Sequence, residues 1–170
     1  VKSAVVGIAL QAPVSDREAL ELEHGKERFS ELLGFAETSI ADGRPLEFMP
    51  QDVEHAAPGS RAAVTAERFY SLAARGGDDD FFSADFSDEE LRERLGHVHV
   101  PALLLPSLAD QYHPRPLEQE AHCARMAAAM GAAGEAVVHG LPGATHSVYE
   151  EPAQEVLVQA LLSFLARLSP

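Results

Sequence analysis

The sequence predicts an α/β architecture in which parallel strands are flanked by helices and interrupted by a mostly helical insertion. Three observations carry this reading. Apolar runs at residues 4–10, 100–106 and 135–141 each lead into a loop rich in polar residues, Pro or Gly, as strands buried on both faces do. Stretches with three- and four-residue apolar spacing follow the second and third runs, and strand–helix alternation is the sequence form of right-handed crossover units. The stretch at residues 16–95 is too long for a single crossover.

In chain order, the first strand leads directly into that insertion. Ser15 with Glu18, and Ser87 with Glu90, have capping-box spacing, in which hydroxyl and carboxylate each satisfy a free backbone donor; helices are expected to begin at both. Between them, residues 65–72 read as a helix, the Gly-Gly-Asp-Asp-Asp run at 76–80 as a turn, and the chain around Pro45, Pro50 and Pro58 as irregular. After the second strand Pro116 is placed to open a helix with Leu117, Ala121, Ala124 and Ala128 on one face, ending near Gly131 and Gly134. After the third, Pro152 opens another, with Leu157, Leu161, Phe164, Leu165 and Leu168 on one face. No internal repeat or low-complexity tract interrupts this order.

A chain of 170 residues suits one domain, able to bury roughly 70% of its unfolded surface. With 27 acidic against 13 basic residues, its net charge of -14 repels nucleic acid and anionic membrane. No apolar run approaches the roughly 20 residues that span a bilayer. The lone Cys123 cannot form an internal disulfide, so nothing depends on an oxidising compartment, which leans toward the cytoplasm. No targeting segment is read at the first residue, Val1.

The chemistry concentrates in two loops. Asp110 follows the second strand in Ser107-Leu108-Ala109-Asp110-Gln111-Tyr112-His113-Pro114, and His146 follows the third in Pro142-Gly143-Ala144-Thr145-His146-Ser147. An acid and then a histidine, each at the carboxyl end of a strand, match the last two members of the Ser–Asp–His triad of an α/β-hydrolase. His146 would take the nucleophile's proton, and Asp110 would hold the imidazole in the right tautomer and stabilise its charged form. The alternative is structural: His146 caps local backbone and Asp110 starts a helix. Asp16 is a competing acid, because it follows the first strand, but the Ser15 capping box already explains it.

The nucleophile is missing. No Gly-x-Ser-x-Gly occurs, and Ser15, Ser107 and Ser147 lie outside any glycine-flanked elbow. The chain opens without methionine on residues that already read as a buried strand, so the expectation is the C-terminal part of an α/β-hydrolase fold, without the serine and the oxyanion hole. His97 and His99 share a strand face but have no third ligand fixed by the sequence, and they sit opposite the presumed active edge. Consecutive Asp78, Asp79 and Asp80 lack the alternating spacing of a calcium loop and read as a solvated turn paired with Arg68 or Arg75. No metal or organic cofactor is expected.

Three stretches in order carry a resemblance: Leu10-Gln11-Ala12-Pro13-Val14-Ser15-Asp16-Arg17-Glu18-Ala19, Thr65-Ala66-Glu67-Arg68-Phe69-Tyr70-Ser71-Leu72, and Gly76-Gly77-Asp78-Asp79-Asp80-Phe81-Phe82-Ser83-Ala84-Asp85. The chain resembles the later part of a fungal and plant α/β-hydrolase family that includes esterases of fusarinine-type siderophores and is otherwise largely of unknown function. The resemblance implies a triad acid at Asp110 and a triad base at His146. The family pattern Asp-Glu-Tyr-Val-Pro stands here as Asp110-Gln111-Tyr112-His113-Pro114. It also implies that residues 1–170 form a partial hydrolase domain, with 16–95 as a cap over the active site that selects substrate. The expected function is a serine hydrolase acting on a small-molecule ester or amide when complete and inert as this chain alone. The alternative is a non-catalytic remnant or a module that docks on a partner, and the open edge of the first strand would then favour self-association.

Overall fold

The computed structural model describes residues 5–50, 63–115, 118–131 and 135–168. Ala4, Pro58, Pro116, Leu117 and Gly134, used above to bound elements, lie outside the described residues. The chain divides into two compact units, one of residues 1–14 with 81–170 and one of residues 15–80.

The first unit is built on a parallel sheet of β1 (Ile8–Gln11), β2 (Ala102–Leu105) and β3 (Ala136–Val138), in that spatial order. Ile8 stands opposite Ala102, and Ala102 opposite Ala136. Successive side chains of a strand point to opposite faces, and β2 uses both. Ala102 and Leu104 join Leu91 and Leu95 of α4 (Asp88–Leu95) and Cys123 and Met126 of α5 (Gln119–Ala129). Leu103 and Leu105 join Leu141, Ala144, Val148 and Phe164, the last from α6 (Glu151–Leu168). Helices on both faces explain why this strand reads as an uninterrupted apolar run. Among the described residues β1 and β3 each pair only with β2, and Val5 and Val6, just before β1, are exposed.

Local signals fix the helix starts. Ser87 makes a full capping box on α4: its Oγ accepts from the Glu90 amide at 3.2 Å, and its own amide donates to the Glu90 carboxylate at 2.7 Å. Although α4 falls within the 16–95 stretch, its apolar face belongs to the sheet core. Helix α5 departs from expectation. Ala121, Ala124 and Ala128 are exposed, and the buried face is Gln119, His122, Cys123, Met126 and Ala127. Alanine burial returns too little free energy to set a helix's rotation, whereas Met126 packs into the sheet core. In α6 Phe164 is buried and Leu157, Leu161 and Leu168 pack beside it, but Leu165 is 56% exposed.

Residues 15–80 form a helical unit of α1 (Asp16–His24), α2 (Lys26–Ala41) and α3 (Ala66–Ala73) around Leu20, Phe29, Leu32, Ala36, Met49 and Phe69. Ser15 caps α1 through the Glu18 amide at 3.2 Å. Gly25 separates α1 from α2 at φ 76°, a conformation that costs other residues steric strain. The acidic turn is solvated only in part: Asp78 is exposed and Asp79 takes the expected partner Arg68, but Asp80 is buried. Asp80 is 2% exposed; it accepts from Arg17 Nε at 3.2 Å and from the Gly76 amide at 2.9 Å, with Ser15 Oγ 3.5 Å away. Asp79 pairs with Arg68 and accepts from Ser71 Oγ at 3.2 Å. Burying Asp80 against Arg17 ties the end of this unit to its beginning.

Candidate active site

Parallel pairing continues past the ends of β2 and β3 and stitches together the loops that carry Asp110 and His146. The amides of His139 and Leu141 donate to the carbonyls of Leu104 and Pro106 at 2.9 and 2.8 Å. Those of Leu108 and Ala109 then donate to Leu141 and Ala144 at 3.1 and 2.9 Å. Gly143 turns the second loop at φ 71°, where a side chain would be strained. Residues 36 positions apart are thereby delivered to one sheet edge.

Asp110 is fully buried, and His146 keeps 34% of its side chain exposed. Asp110 Oδ1 accepts from the Tyr112 amide at 2.9 Å, and Oδ2 lies 2.9 Å from His146 Nδ1. A carboxylate can only accept, so the imidazole carries its proton on Nδ1 and turns Nε2 away from Asp110. A hydrogen bond to a charged carboxylate is among the stronger kinds. Asp16, the competing acid, is exposed in the first turn of α1; the carboxylate bonded to His146 is that of Asp110.

Three further residues hold His146, and a fourth, Glu150, holds Thr145 beside it. The His146 amide donates to Gln111 Oε1 at 3.2 Å, its carbonyl accepts from Gln11 Nε2 at 2.8 Å, and the Tyr112 ring meets the imidazole edge-on with centroids 5.1 Å apart. Glu150 accepts from the Thr145 amide and hydroxyl at 3.0 and 2.9 Å, and the amide bond above all holds its carboxyl below the usual range. Val148 sits at φ 51°, an outlier for a β-branched residue, and its carbonyl accepts from Gln154 Nε2 at 2.9 Å. Sequence reasoning singled out none of Gln11, Gln111, Tyr112 and Glu150 as contacts of this loop. Gln11 alone had a usable signal, as a polar residue closing an apolar strand.

The serines and histidines that the sequence reading sets aside take other places. Ser147, His97 and His99 are exposed, Ser15 caps α1, and buried Ser107 lies 3.4 Å from Gln11 Nε2. Among the described residues no three His, Cys, Asp or Glu side chains are grouped to hold a metal ion.

Two other imidazoles are buried, His113 in the acid loop itself and His122 on α5. Burial is the main cause that pushes each below the ordinary 6.5 of histidine. Both are neutral in the folded chain near neutral pH. As pH falls through 6.5 the unfolded chain takes up protons that the folded chain refuses, so stability is lost on acidification. The expected slope is up to about 1.4 kcal/mol per pH unit for each ring. Urea unfolding at pH 7.5 and 5.5 measures it, and His113→Val should flatten the difference.

Comparison with known proteins places the chain in a family. A family model described as "Protein of unknown function (DUF1749)" matches residues 1–166. The chain is 33% identical to Esterase AN6793 of Emericella nidulans over 98% of its own length and 54% of that protein's. It is 28% identical to Fusarinine C esterase sidJ of Aspergillus fumigatus, covering 95% of this chain and 55% of the relative. The solved structure of the siderophore hydrolase EstB from Aspergillus fumigatus superposes with a TM-score of 0.73 at 28% identity, covering 96% of this chain and 58% of that one. The chain thus spans just over half the length of these relatives. With three parallel strands flanked by helices and a family model matched along nearly its whole length, the chain belongs to the DUF1749 family and has an α/β-hydrolase fold.

Proposed function

We propose that Asp110 and His146 are the acid and base of a Ser–Asp–His relay in an esterase, with the serine and the oxyanion donors supplied from outside these 170 residues. The observation that carries this reading is the 2.9 Å contact between a fully buried carboxylate and a part-exposed imidazole at neighbouring strand ends. The esterase names of the relatives support a small-molecule ester, of the siderophore class, as substrate. His146 Nε2 removes the serine proton as Oγ bonds to the ester carbonyl carbon. It then returns that proton to the departing alcohol, and the acyl-enzyme is hydrolysed by water activated in the same way. Asp110 fixes the tautomer throughout. The separate helical core of residues 15–80 supports reading that part of the 16–95 stretch as a cap, while α4 packs with the sheet.

Nitrophenyl-ester turnover and fluorophosphonate labelling test this. The chain alone should show neither, and the same chain extended by its upstream coding sequence should show both, with His146→Ala abolishing turnover. Turnover by the 170 residues alone, lost in His146→Ala, would place the nucleophile within them. An extended protein with no reactive serine would favour the second reading, a partner-docking module, which draws on the one-sided pairing of β1 and the exposed Val5 and Val6.

A further inference from the structure

The acid loop and the buried face of α5 carry three polar side chains that the proposed chemistry does not use. His113, Gln119 and His122 are 4%, 1% and 5% exposed. His113 Nε2, both amide atoms of Gln119 and His122 Nδ1 are buried without a hydrogen-bond partner among the described residues. Such groups are rare in native interiors, because each has given up its bonds to solvent and gained none in return.

Their hydrogen-bonding roles are fixed by what the other ring atoms do. His122 Nε2 lies 3.0 Å from the Phe82 carbonyl, which can only accept; the proton is therefore on Nε2, and Nδ1 offers a lone pair. His113 Nδ1 accepts from the Arg115 amide at 3.0 Å, so its proton is on Nε2, which must donate. Gln119 offers both kinds of atom. It stands three residues before His122 on the buried face of α5, so the two are neighbours on the helix surface. His113 and Arg115 lie near enough to His122 to act on it electrostatically.

We propose that His113, Gln119 and His122 form a binding site for internal water, one or two molecules, that braces the loop bearing Asp110. The unmet set contains donors and acceptors together. A metal ion would confront the N–H of His113, an anion would confront the lone pairs of His122 and Gln119, and only a species that donates and accepts satisfies all of them; water does both and fits the usual pattern of polar internal sites. The site reaches the acid through His113, whose amide donates to the Asp110 carbonyl at 3.4 Å. Bracing rests on the Asp110–His146 geometry and not on turnover, so it stands or falls separately from the esterase reading.

The test uses the 170-residue chain. Long-range proton–nitrogen spectra should show both rings as Nε2–H tautomers, and His113 Nε2–H should give a cross-peak to a long-lived water. Oxygen-17 relaxation dispersion should lose that water's contribution in His113→Val, and the His146 Nδ1 proton should exchange faster in this variant. An Nδ1–H tautomer at either ring would overturn the proposal, as would a crystal structure with His113 bonded directly to Gln119 Oε1. Unchanged exchange at His146 in a folded His113→Val chain would overturn the bracing role. The spectra of the unaltered chain decide the water site even if that variant does not fold.

Discussion

Asp110→Asn is expected to lower kcat about 10⁴-fold in a protein that joins this chain to its serine, the loss that a reversed base tautomer causes in the best-studied triad. The direction of reversal follows from Tyr112. Its amide donates to Asp110 Oδ1 at 2.9 Å, and an amide can only donate, so the new side chain must keep its oxygen there. Its NH₂ group then faces His146 Nδ1, 2.9 Å away in the native pair. That group donates, forcing the ring proton onto Nε2, where the serine proton would have to be received. A flipped asparagine would instead set two donors against each other at Tyr112. Nitrogen chemical shifts of His146 in the isolated variant chain check the tautomer, and kcat with unchanged KM in the extended protein checks the consequence. A native tautomer with full activity would remove Asp110 from the mechanism.

Asp80→Ala should destabilise the unit of residues 15–80 by about 3–5 kcal/mol, the usual loss when one partner of a buried ion pair is removed. Arg17 is 8% exposed and would keep a guanidinium with no carboxylate at Nε, and the Gly76 amide would lose its acceptor. Asp79→Ala is the control. Its pair with Arg68 lies at the surface, both side chains being more than a third exposed, so the cost should stay below about 1 kcal/mol. Denaturant unfolding followed by amide exchange within α1 and α3 separates the two. Equal effects would mean that the buried pair adds nothing over the exposed one.

The fold was legible wherever one residue type decides the outcome. β2 lies wholly inside its apolar run because both its faces are covered, and β1 leaves its run only at Gln11; Ser15 and Ser87 start helices because a hydroxyl there answers a free amide. Illegible features depend on partners distant in the chain. The rotation of α5 could not be read from its alanines, and the burial of Asp80 depends on an arginine 63 positions earlier. Asp110 and His146 could be placed at strand ends, and Gln11 stood out only as a polar residue closing an apolar strand; the bonds that it and Gln111 make to the backbone of His146 could not be read, since any amide side chain of the right reach would serve.

Asp110 and His146 owe their meeting to main-chain bonds between Leu104, Pro106, Leu108 and Ala109 on one side and His139, Leu141 and Ala144 on the other. Main-chain groups are common to nearly every residue type, so many side chains in these two loops are free to drift over evolutionary time without disturbing the pair. Loop length is what cannot drift. One residue gained or lost between Leu105 and Asp110, or between Val138 and His146, would shift every later bond out of phase and swing the carboxylate away from the ring. Among homologues, gaps in these two segments should therefore be far rarer than substitutions.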